Sequence, residues 1–348
     1  MMNTTESEET FWEKWVKPLE DIDDPAMIRT RFFMIIWLCM ALLLGIPGNL
    51  LVIASVAVVK NLRKLPHLFV INLAICDLGV MSMHVFVLIG AIYGDTFLKD
   101  RYVMCEVSGI VCMLSCFGSL WTMMFVAVNR YVFICQNQIY NKLFDLKGTV
   151  VALVLLWICV FLLDLPNYPW FGGHVFTELF LHCSFKIDSI RWWFNTLFYS
   201  VLALCVPMFT IMFCYYSIWR KANSASGIGK ASEKRQKEQK QLVISLVTLF
   251  VAFCVTWLPY GILIALLGFS FDVGAYLPFE AIIMLDLWAH FNSSCNFIIY
   301  GVTHRGFRDA YLELLYKVIP CCKPSKVNEH TSNATGATTM RSQATTQM

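Results

Sequence analysis

Charged residues are scarce in this sequence. They make up 15% of its 348 residues, against about 25% in soluble proteins. Basic and acidic residues nearly balance, at 27 and 24, so the chain lacks the strong positive charge that favours nucleic-acid partners. Hydrophobic residues reach 58%, more than a surface in contact with water accommodates. The composition argues against a soluble enzyme and a nucleic-acid-binding protein, and it excludes a disordered chain.

Long segments of the chain lack charge altogether. Three such segments are 32–59, 192–219 and 241–271. Each exceeds the roughly 20 residues with which a helix crosses the hydrocarbon core of a bilayer. Four similar segments carry only one or two ionisable residues each: 68–93, 103–128, 148–166 and 281–302. We therefore predict an all-α integral membrane protein, a bundle of seven transmembrane helices with a short amphipathic cytoplasmic helix.

The charges that are present indicate an orientation. Lys and Arg number 19 in the segments on one side of the predicted membrane and 8 on the other. Because these residues collect in cytoplasmic loops, the amino terminus is expected outside the cell, in a multi-pass protein of the plasma membrane. The predicted parts are an extracellular tail (1–31), a transmembrane domain (32–302), an amphipathic membrane-surface helix (303–319) and a disordered cytoplasmic tail (320–348).

Three sequence features predict covalent modification. An Asn-Thr-Thr acceptor for N-glycosylation begins at Asn3, on the predicted outer side. Cys105 and Cys183 are the cysteines expected at the outer face, where two such thiols are usually paired, so a disulfide is predicted. Cys321 and Cys322 follow the amphipathic segment on the inner side, which indicates palmitoylation, with zinc binding as the alternative.

Polar residues occur at the centre of the predicted bundle. Asp77 lies in the middle of the second span, where a carboxylate is costly without a partner or a function. Neutral oxygen-bearing side chains lie at corresponding depth: Asn49, Ser119, Asn292, Ser293 and Asn296. One acid among neutral oxygens suits a hard cation such as sodium better than zinc. A hydrogen-bonded network without an ion explains the same residues equally well.

Prolines lie inside three predicted spans, at Pro47, Pro207 and Pro259. Each removes a backbone hydrogen bond and kinks its helix. Kinked helices around a polar centre favour a switching protein over a static anchor, although membrane transporters use the same device. A transporter, for which solute flux is the test, therefore remains the alternative class of protein.

Landmark residues recur through the predicted spans. In chain order they are Gly48-Asn49, Leu73-Ala74-Ile75-Cys76-Asp77, Cys105, Arg130, Trp157, Pro207, Tyr215, Trp257-Leu258-Pro259, Asn296 and Tyr300. In this order and spacing they resemble the rhodopsin-like (class A) G-protein-coupled receptors over nearly the whole chain. The resemblance implies a receptor without catalytic activity that binds an extracellular small ligand and activates a heterotrimeric G protein. It also implies that receptor kinases, arrestin and membrane lipids are partners.

Shorter matches look similar to melatonin receptors. They are Asn129-Arg130-Tyr131, Tyr140-Asn141-Lys142-Leu143-Phe144, Leu165-Pro166-Asn167 and Ile298-Ile299-Tyr300-Gly301. This resemblance implies coupling to an inhibitory G protein. Its ligand residues agree only in part: Asn167 and Phe185 match, but Ile187, Ala203 and Gly261 replace a glutamine, a histidine and an asparagine. The missing polar contacts argue against melatonin itself, and another small amine, an indole-like compound or a peptide is the alternative ligand.

The resemblance places a ligand pocket in the outer half of the bundle. Its expected residues are Cys112, Met113, Cys116, Asn167, Phe185, Ala203, Trp257, Tyr260, Gly261, Asp286 and His290. Phe253 and Trp288 are expected to add to an aromatic lining, and Glu106 to face water. Asp286 and His290 share one helix face, so the acid either binds a cationic ligand or pairs with the histidine. His290 stands where retinal proteins carry their lysine, so no covalent cofactor is expected, and sodium remains the one expected ion.

The resemblance also assigns residues to activation. They are Asn129, Arg130, Tyr131, Tyr215, Trp257, Pro259, Asn296 and Tyr300. It implies that Arg130 contacts an inserted G-protein helix once the sixth span moves outward. Asn129 replaces the usual acidic residue and supplies no charge to restrain Arg130, which predicts measurable basal signalling. Phe297 departs from the family as well, because most relatives carry proline there.

Overall fold

A computed structural model of the protein describes residues 25–93, 98, 100–168, 173–177, 180–185, 197–224, 233–269 and 277–318. The nine helices of this part of the chain are α1 (Pro25–Val58), α2 (His67–Tyr93), α3 (Tyr102–Cys135), α4 (Asn137–Leu143), α5 (Leu146–Asp164), α6 (Val206–Ser224), α7 (Glu233–Phe269), α8 (Phe279–Thr303) and α9 (Arg305–Val318). We refer to α1, α2, α3, α5, α6, α7 and α8 as spans one to seven.

Six helical stretches are long and apolar enough to cross a membrane. They are 27–58, 67–93, 102–135, 146–167, 201–221 and 243–266. The seventh span has 25 residues, long enough to cross a bilayer, but polar residues reduce its hydropathy. Asp286, His290, Asn292 and Asn296 are all buried in the bundle. The first span begins at Pro25, before the predicted boundary at residue 32.

Large apolar side chains cover the outside of the bundle. Examples of exposed ones are Phe32, Phe33, Leu43, Phe209, Phe213 and Trp219. A soluble monomer rarely exposes apolar patches of this extent, whereas lipid tails cover them without cost. Polar groups such as Asp77, Asn49 and Asn292 are buried instead. The protein therefore buries polar groups within the bundle and presents apolar ones outward.

The start of span five departs from α-helical geometry. Residues Tyr199–Cys205 form a π-helical segment directly before α6. Pro207 follows this segment, and its ring and missing N–H disrupt a regular helix one turn upstream. Pro47 and Pro259, by contrast, lie inside continuous helices. The π-helical segment brings Ala203 and Leu204 to the interior of the bundle.

A short β-hairpin lies against the outer end of span three. Strand β1 (His174–Thr177) pairs antiparallel with β2 (His182–Phe185), and His174 lies opposite Phe185. The predicted disulfide between Cys105 and Cys183 is confirmed. The hairpin itself was not predicted from the sequence.

The last described helix is amphipathic. Phe307 and Ala310 of α9 are buried, whereas Lys317 and Glu313 are exposed and form an ion pair of 2.8 Å. This helix occupies most of the predicted segment 303–319. The predicted modification sites at Asn3, Cys321 and Cys322 lie outside the described residues.

Candidate functional site

A cavity of about 140 Å³ lies between spans three, five, six and seven, beneath β2. Eight predicted ligand residues line it: Cys112, Met113, Cys116, Ala203, Trp257, Tyr260, Gly261 and His290. The predicted Phe253 lines it as well. Residues that the sequence did not indicate are Phe117, Leu120, His182, Cys183, Ser184, Leu204 and Ile264. The wall is thus mainly apolar and aromatic, with thiols and imidazoles as its main polar groups.

Among the side chains that the structure describes, three expected residues are not part of this wall: Asn167, Trp288 and Asp286. The Asn167 amide is buried and donates to Asp164 Oδ1 over 3.0 Å. Phe185 belongs to β2, but its side chain is outside the described part of the structure. The expectation for Trp288 is wrong: its ring is 37% exposed and its Nε1 donates to the Val255 carbonyl. Its ring lies beside those of Trp37 and Phe291, at 5.9 and 6.4 Å.

Asp286, the third of these residues, lies behind the cavity wall between two histidines. Its Oδ2 is 3.3 Å from His182 Nε2, and its Oδ1 is 3.4 Å from His290 Nδ1. Asp286 is almost fully buried, and its carboxylate is paired with the two imidazoles. Burial opposes a charge on His182, but Asp286 outweighs it and raises the pKa of His182 above its usual range.

His182 is a polar residue of the cavity that the sequence did not indicate. It precedes Cys183, which the disulfide ties to the top of span three. Any neighbour of Cys183 must therefore lie over the outer end of the bundle. That adjacency was the available signal, but the direction of the side chain depends on the hairpin.

A second histidine of the hairpin also meets buried acids. His174 donates from its backbone N–H to Glu106 Oε2 over 2.9 Å, and its Nδ1 lies 3.4 Å from Oε1. Its Nε2 is 3.7 Å from Asp164 Oδ1. Burial opposes the charged imidazole, but Asp164 and Glu106 outweigh it and raise the pKa of His174. The expectation that Glu106 faces water is wrong, because the hairpin covers it.

The close approach of the hairpin depends on a glycine. Gly109 of span three faces His174, and a Cβ atom at this position would overlap the imidazole at 2.6 Å. The missing side chain allows β1 to lie directly on the helix. The acid–imidazole contacts of Glu106 follow from this fit.

Aromatic rings form the inner end of the cavity. The ring of Trp257 stacks on that of Phe253 at 5.7 Å and lies 5.4 Å from the imidazole of His290. Tyr260 lies 6.1 Å from Trp257, edge to face. A group that enters the cavity therefore contacts Trp257, two residues before the helix proline Pro259.

The predicted polar centre forms around Asp77, which is fully buried. Asn296 Nδ2 donates to Asp77 Oδ2 over 2.7 Å, and Ser119 Oγ donates to Oδ1 over 3.2 Å. Asn49 is bonded instead to the carbonyls of Gly45 and Ser293.

Buried amide oxygens near this centre lack a donor. Among the described residues, Oδ1 of Asn49, Asn292 and Asn296 has no hydrogen-bond partner. A carboxylate with carbonyl-type oxygens is the ligand set that hard cations prefer. The residues present therefore fit a sodium ion.

At the inner end of span three, Asn129 is buried and Arg130 lies near Tyr140 and Tyr215. Among the described side chains, which do not include those of residues 233–242, no carboxylate pairs with Arg130. The predicted activation residues do not form one cluster. The Tyr131 ring packs on Phe213 of span five at 5.7 Å.

Two activation tyrosines connect neighbouring helices. Tyr215 of span five lies 6.3 Å from Phe250 of span six, and Tyr300 of span seven stacks on Phe307 of α9 at 5.0 Å. Movement of span six therefore alters the surroundings of Tyr215 directly.

Comparisons of the sequence and of the fold with known proteins agree with one another. Residues 48–300 match the family described as 7 transmembrane receptor (rhodopsin family). Melatonin receptor type 1C of Xenopus laevis is 28% identical over 307 residues, covering 87% of this chain and 72% of that protein. Melatonin receptor type 1B-B of Danio rerio is 29% identical over 274 residues, 78% of each chain. The crystal structure of squid rhodopsin has the same fold, with a TM-score of 0.70, 21% identity and coverage of 86% and 89%.

Proposed function

This chain belongs to the rhodopsin family of seven-transmembrane receptors, and on that premise we propose its ligand class, its orientation and its coupling. It is a multi-pass membrane receptor and not an enzyme, and the transporter alternative is not favoured. We propose a plasma-membrane receptor with the amino terminus outside, a small aromatic ligand in the outer cavity and an inhibitory G protein at the inner face.

The proposed class of ligand rests on the volume and the lining of the cavity. Its volume is about 140 Å³, similar to the roughly 150 Å³ cavity that holds one benzene molecule in another protein. That volume limits the buried part of a ligand to about one aromatic ring system. Asp286 already pairs with His182 and His290, so it offers no free charge for a cationic amine. A compact, neutral, indole-like ligand that stacks on Trp257 fits these properties.

Melatonin itself is not the proposed ligand. Ala203 and Gly261 line the cavity, but neither side chain can donate or accept a hydrogen bond. Asn167, the remaining polar residue of the melatonin-like set, bonds to Asp164 instead. A ligand of this receptor is therefore expected to use the imidazoles of His182 and His290.

The proposed mechanism is a shift between two packings of the bundle. A ligand in contact with Trp257 favours the packing in which span six, bent at Pro259, moves away from span three. That movement separates Phe250 from Tyr215 and opens the surface beside Arg130 to a G-protein helix. Asp77, Ser119 and the neighbouring asparagines would hold a sodium ion, which would stabilise the closed packing.

Further partners and modifications are proposed from the sequence. Receptor kinases would phosphorylate the Ser/Thr-rich tail and create a site for arrestin. Glycosylation of Asn3 and palmitoylation of Cys321 and Cys322 are consistent with the proposed orientation. Membrane lipids contact the apolar outer surface of the spans.

A ligand screen in cells tests the proposal. Neutral indoles, cationic amines, melatonin and short peptides are applied to cells that express the receptor with a sensor of G-protein dissociation. We expect the neutral indoles to give dissociation of an inhibitory G protein and a fall in cyclic AMP. A response confined to peptides would contradict the proposed ligand class, and solute flux without dissociation would contradict the receptor mechanism.

A further inference from the structure

Three metal-binding side chains converge on the wall of the outer cavity. Cys112 and Cys116 are one turn apart on span three, and His290 faces them from span seven. Their ligand atoms all lie within 4.8 Å of one another, and all three residues are buried. Cys112 Sγ and His290 Nε2 are 3.7 Å apart. Tetrahedral zinc, with bonds of about 2.3 Å to sulfur and about 2.0 Å to nitrogen, separates these atoms by roughly 3.6 Å.

Asp286 fixes the orientation of the His290 ring through its second nitrogen, Nδ1. Nδ1 lies 2.9 Å from the Asp286 carbonyl oxygen and 3.4 Å from the Asp286 carboxylate. With the proton on Nδ1, the lone pair of Nε2 faces the sulfur of Cys112. Histidines that bind metals are oriented in this way, with the other N–H donated to a carboxylate or a carbonyl. His290 therefore needs no reorientation to bind an ion.

We propose that Cys112, Cys116 and His290 bind a zinc ion whose fourth coordination position opens into the ligand cavity. Two sulfurs and an imidazole select a soft or borderline ion and disfavour sodium, magnesium and calcium. Each thiol releases its proton as its Zn–S bond forms, so two protons leave for each ion bound. Two thiolates then balance the 2+ charge of zinc, and the site carries no net charge within the bundle.

A buried histidine of span two lies next to the proposed metal site. His84 of span two is fully buried, and its ring centre lies 5.9 Å from that of His290. Neither of its ring nitrogens has a hydrogen-bond partner among the described residues. A buried imidazole without a partner is costly, but the group of ligand atoms that lie within 4.8 Å of one another does not include those of His84.

The open fourth position connects the metal to the cavity. It faces the space in which the organic ligand is proposed to bind, so zinc either acts as a ligand by itself or holds an electron-rich atom of that ligand. The signalling consequence rests on the proposed function, but metal binding does not. The decisive experiment therefore uses purified receptor without a G protein.

Cobalt substitution reports the ligand set directly. Receptor in detergent is treated with a chelator, without a reductant that would open the Cys105–Cys183 disulfide, and is then titrated with Co²⁺. We expect one equivalent to give the sulfur-to-cobalt charge-transfer band and the intense visible bands of tetrahedral coordination. Zinc should then remove them, whereas Mg²⁺ and Ca²⁺ should not.

Variants assign the ligands. Cys112→Ser and Cys116→Ser should each abolish the charge-transfer contribution of one sulfur, and His290→Ala should weaken cobalt binding. Asp286→Asn should change cobalt affinity little, because Nδ1 of His290 donates to the Asp286 backbone carbonyl, which this variant keeps. The matched control is Cys39→Ser, because Cys39 is an exposed free cysteine of span one. It should bind cobalt like the unaltered protein.

Three results would overturn the proposal. The first is that Co²⁺ gives only weak octahedral bands with the unaltered protein. The second is that Cys112→Ser keeps the full charge-transfer intensity. The third is that mass spectrometry finds a Cys112–Cys116 disulfide in the unaltered protein. Unfolding temperatures of each variant without metal show whether lost binding reflects lost folding, and a retained temperature makes the loss specific. Cobalt bands in a receptor that never activates a G protein would sustain the metal site and discard the proposed signalling.

Discussion

The ring of Phe297 in span seven fills the space that Gly48 of span one leaves without a side chain. A Cβ atom on Gly48 would overlap three atoms of that ring. Most receptors of this family carry proline where this chain has Phe297, so the contact gives a structural role to the departure. Phe297 also contributes to the interior packing of the bundle. Phe297 of span seven therefore packs against span one at the position where Gly48 has no side chain.

Gly48→Ala should therefore destabilise the receptor. The added methyl forces the Phe297 ring to move in a packed interior, and overpacking typically costs about 1–3 kcal/mol. Thermal unfolding in detergent should show a lower midpoint. Gly90→Ala is the matched control, because a Cβ atom on Gly90 meets nothing within 4 Å. The double variant Gly48→Ala with Phe297→Leu should recover part of the loss, and equal midpoints for Gly48→Ala and Gly90→Ala would contradict the packing argument.

Asp77→Asn should remove the response to sodium. In the unaltered receptor, sodium at ten times its dissociation constant adds about 1.4 kcal/mol to the free energy of unfolding of the sodium-binding state. Replacing NaCl with choline chloride at constant ionic strength should therefore lower its unfolding midpoint and raise agonist affinity. Asp77→Asn should show neither effect, whereas Ser82→Ala, on the exposed side of the same helix, should show both. Persistent sodium sensitivity in Asp77→Asn would place the ion elsewhere.

The sequence was sufficient for features that depend on composition and spacing. Seven hydrophobic segments, and two cysteines expected at the outer face, were enough to predict the spans and the Cys105–Cys183 disulfide. Residues of the cavity such as Trp257 and Gly261 followed from family landmarks. Helix faces were harder to assign, because both the lipid side and the packed side of a span are apolar. Trp288 was placed inside the cavity for that reason, although it faces outward.

The outer loop could not be predicted in the same way. His174 and His182 acquire their acidic partners only when the hairpin lies on span three, beside Gly109. Nothing in the local sequence brings residues 68 positions apart, such as Glu106 and His174, into contact. The prediction that Glu106 faces water failed because a loop without hydrophobic periodicity gives no indication of what it covers.

Receptor stability should fall as pH rises above neutrality. The pKa values of His174 and His182 are raised in the folded state by buried acids. Their stabilising charge is therefore fully present below about pH 6.5, the usual histidine pKa, and is lost as pH rises through the folded values. Unfolding midpoints measured from pH 6 upward should decline. His174→Gln should flatten this decline, and an unchanged slope in this variant would exclude His174 as a source.

Two substitutions should introduce a melatonin response. Ala203→His and Gly261→Asn restore the polar residues of the melatonin-like pattern in the cavity wall. A Cβ atom on Gly261 meets only Leu204, at 3.7 Å, which is an ordinary van der Waals contact. Each hydrogen bond contributes about 1 kcal/mol, so the double variant should bind melatonin roughly tenfold or more tightly. Displacement of radiolabelled melatonin measures this, with Cys39→Ser as control. If the double variant and the unaltered receptor bind melatonin with equal affinity, the cavity is not the melatonin-like pocket.

Asn129→Asp should reduce signalling without a ligand. In the described part of the structure, Arg130 pairs with no carboxylate, and its neighbour Asn129 is neutral and buried. No described acidic side chain therefore stabilises the closed packing through Arg130, and the unaltered receptor should lower cyclic AMP even without agonist. An aspartate at position 129 attracts the guanidinium and should lower this basal activity, while agonist still produces a response. Arg130→Ala should abolish both basal and stimulated activity at equal surface expression. Basal cyclic AMP equal to that of untransfected cells would contradict the argument, because an unrestrained arginine must leave some of the open state populated.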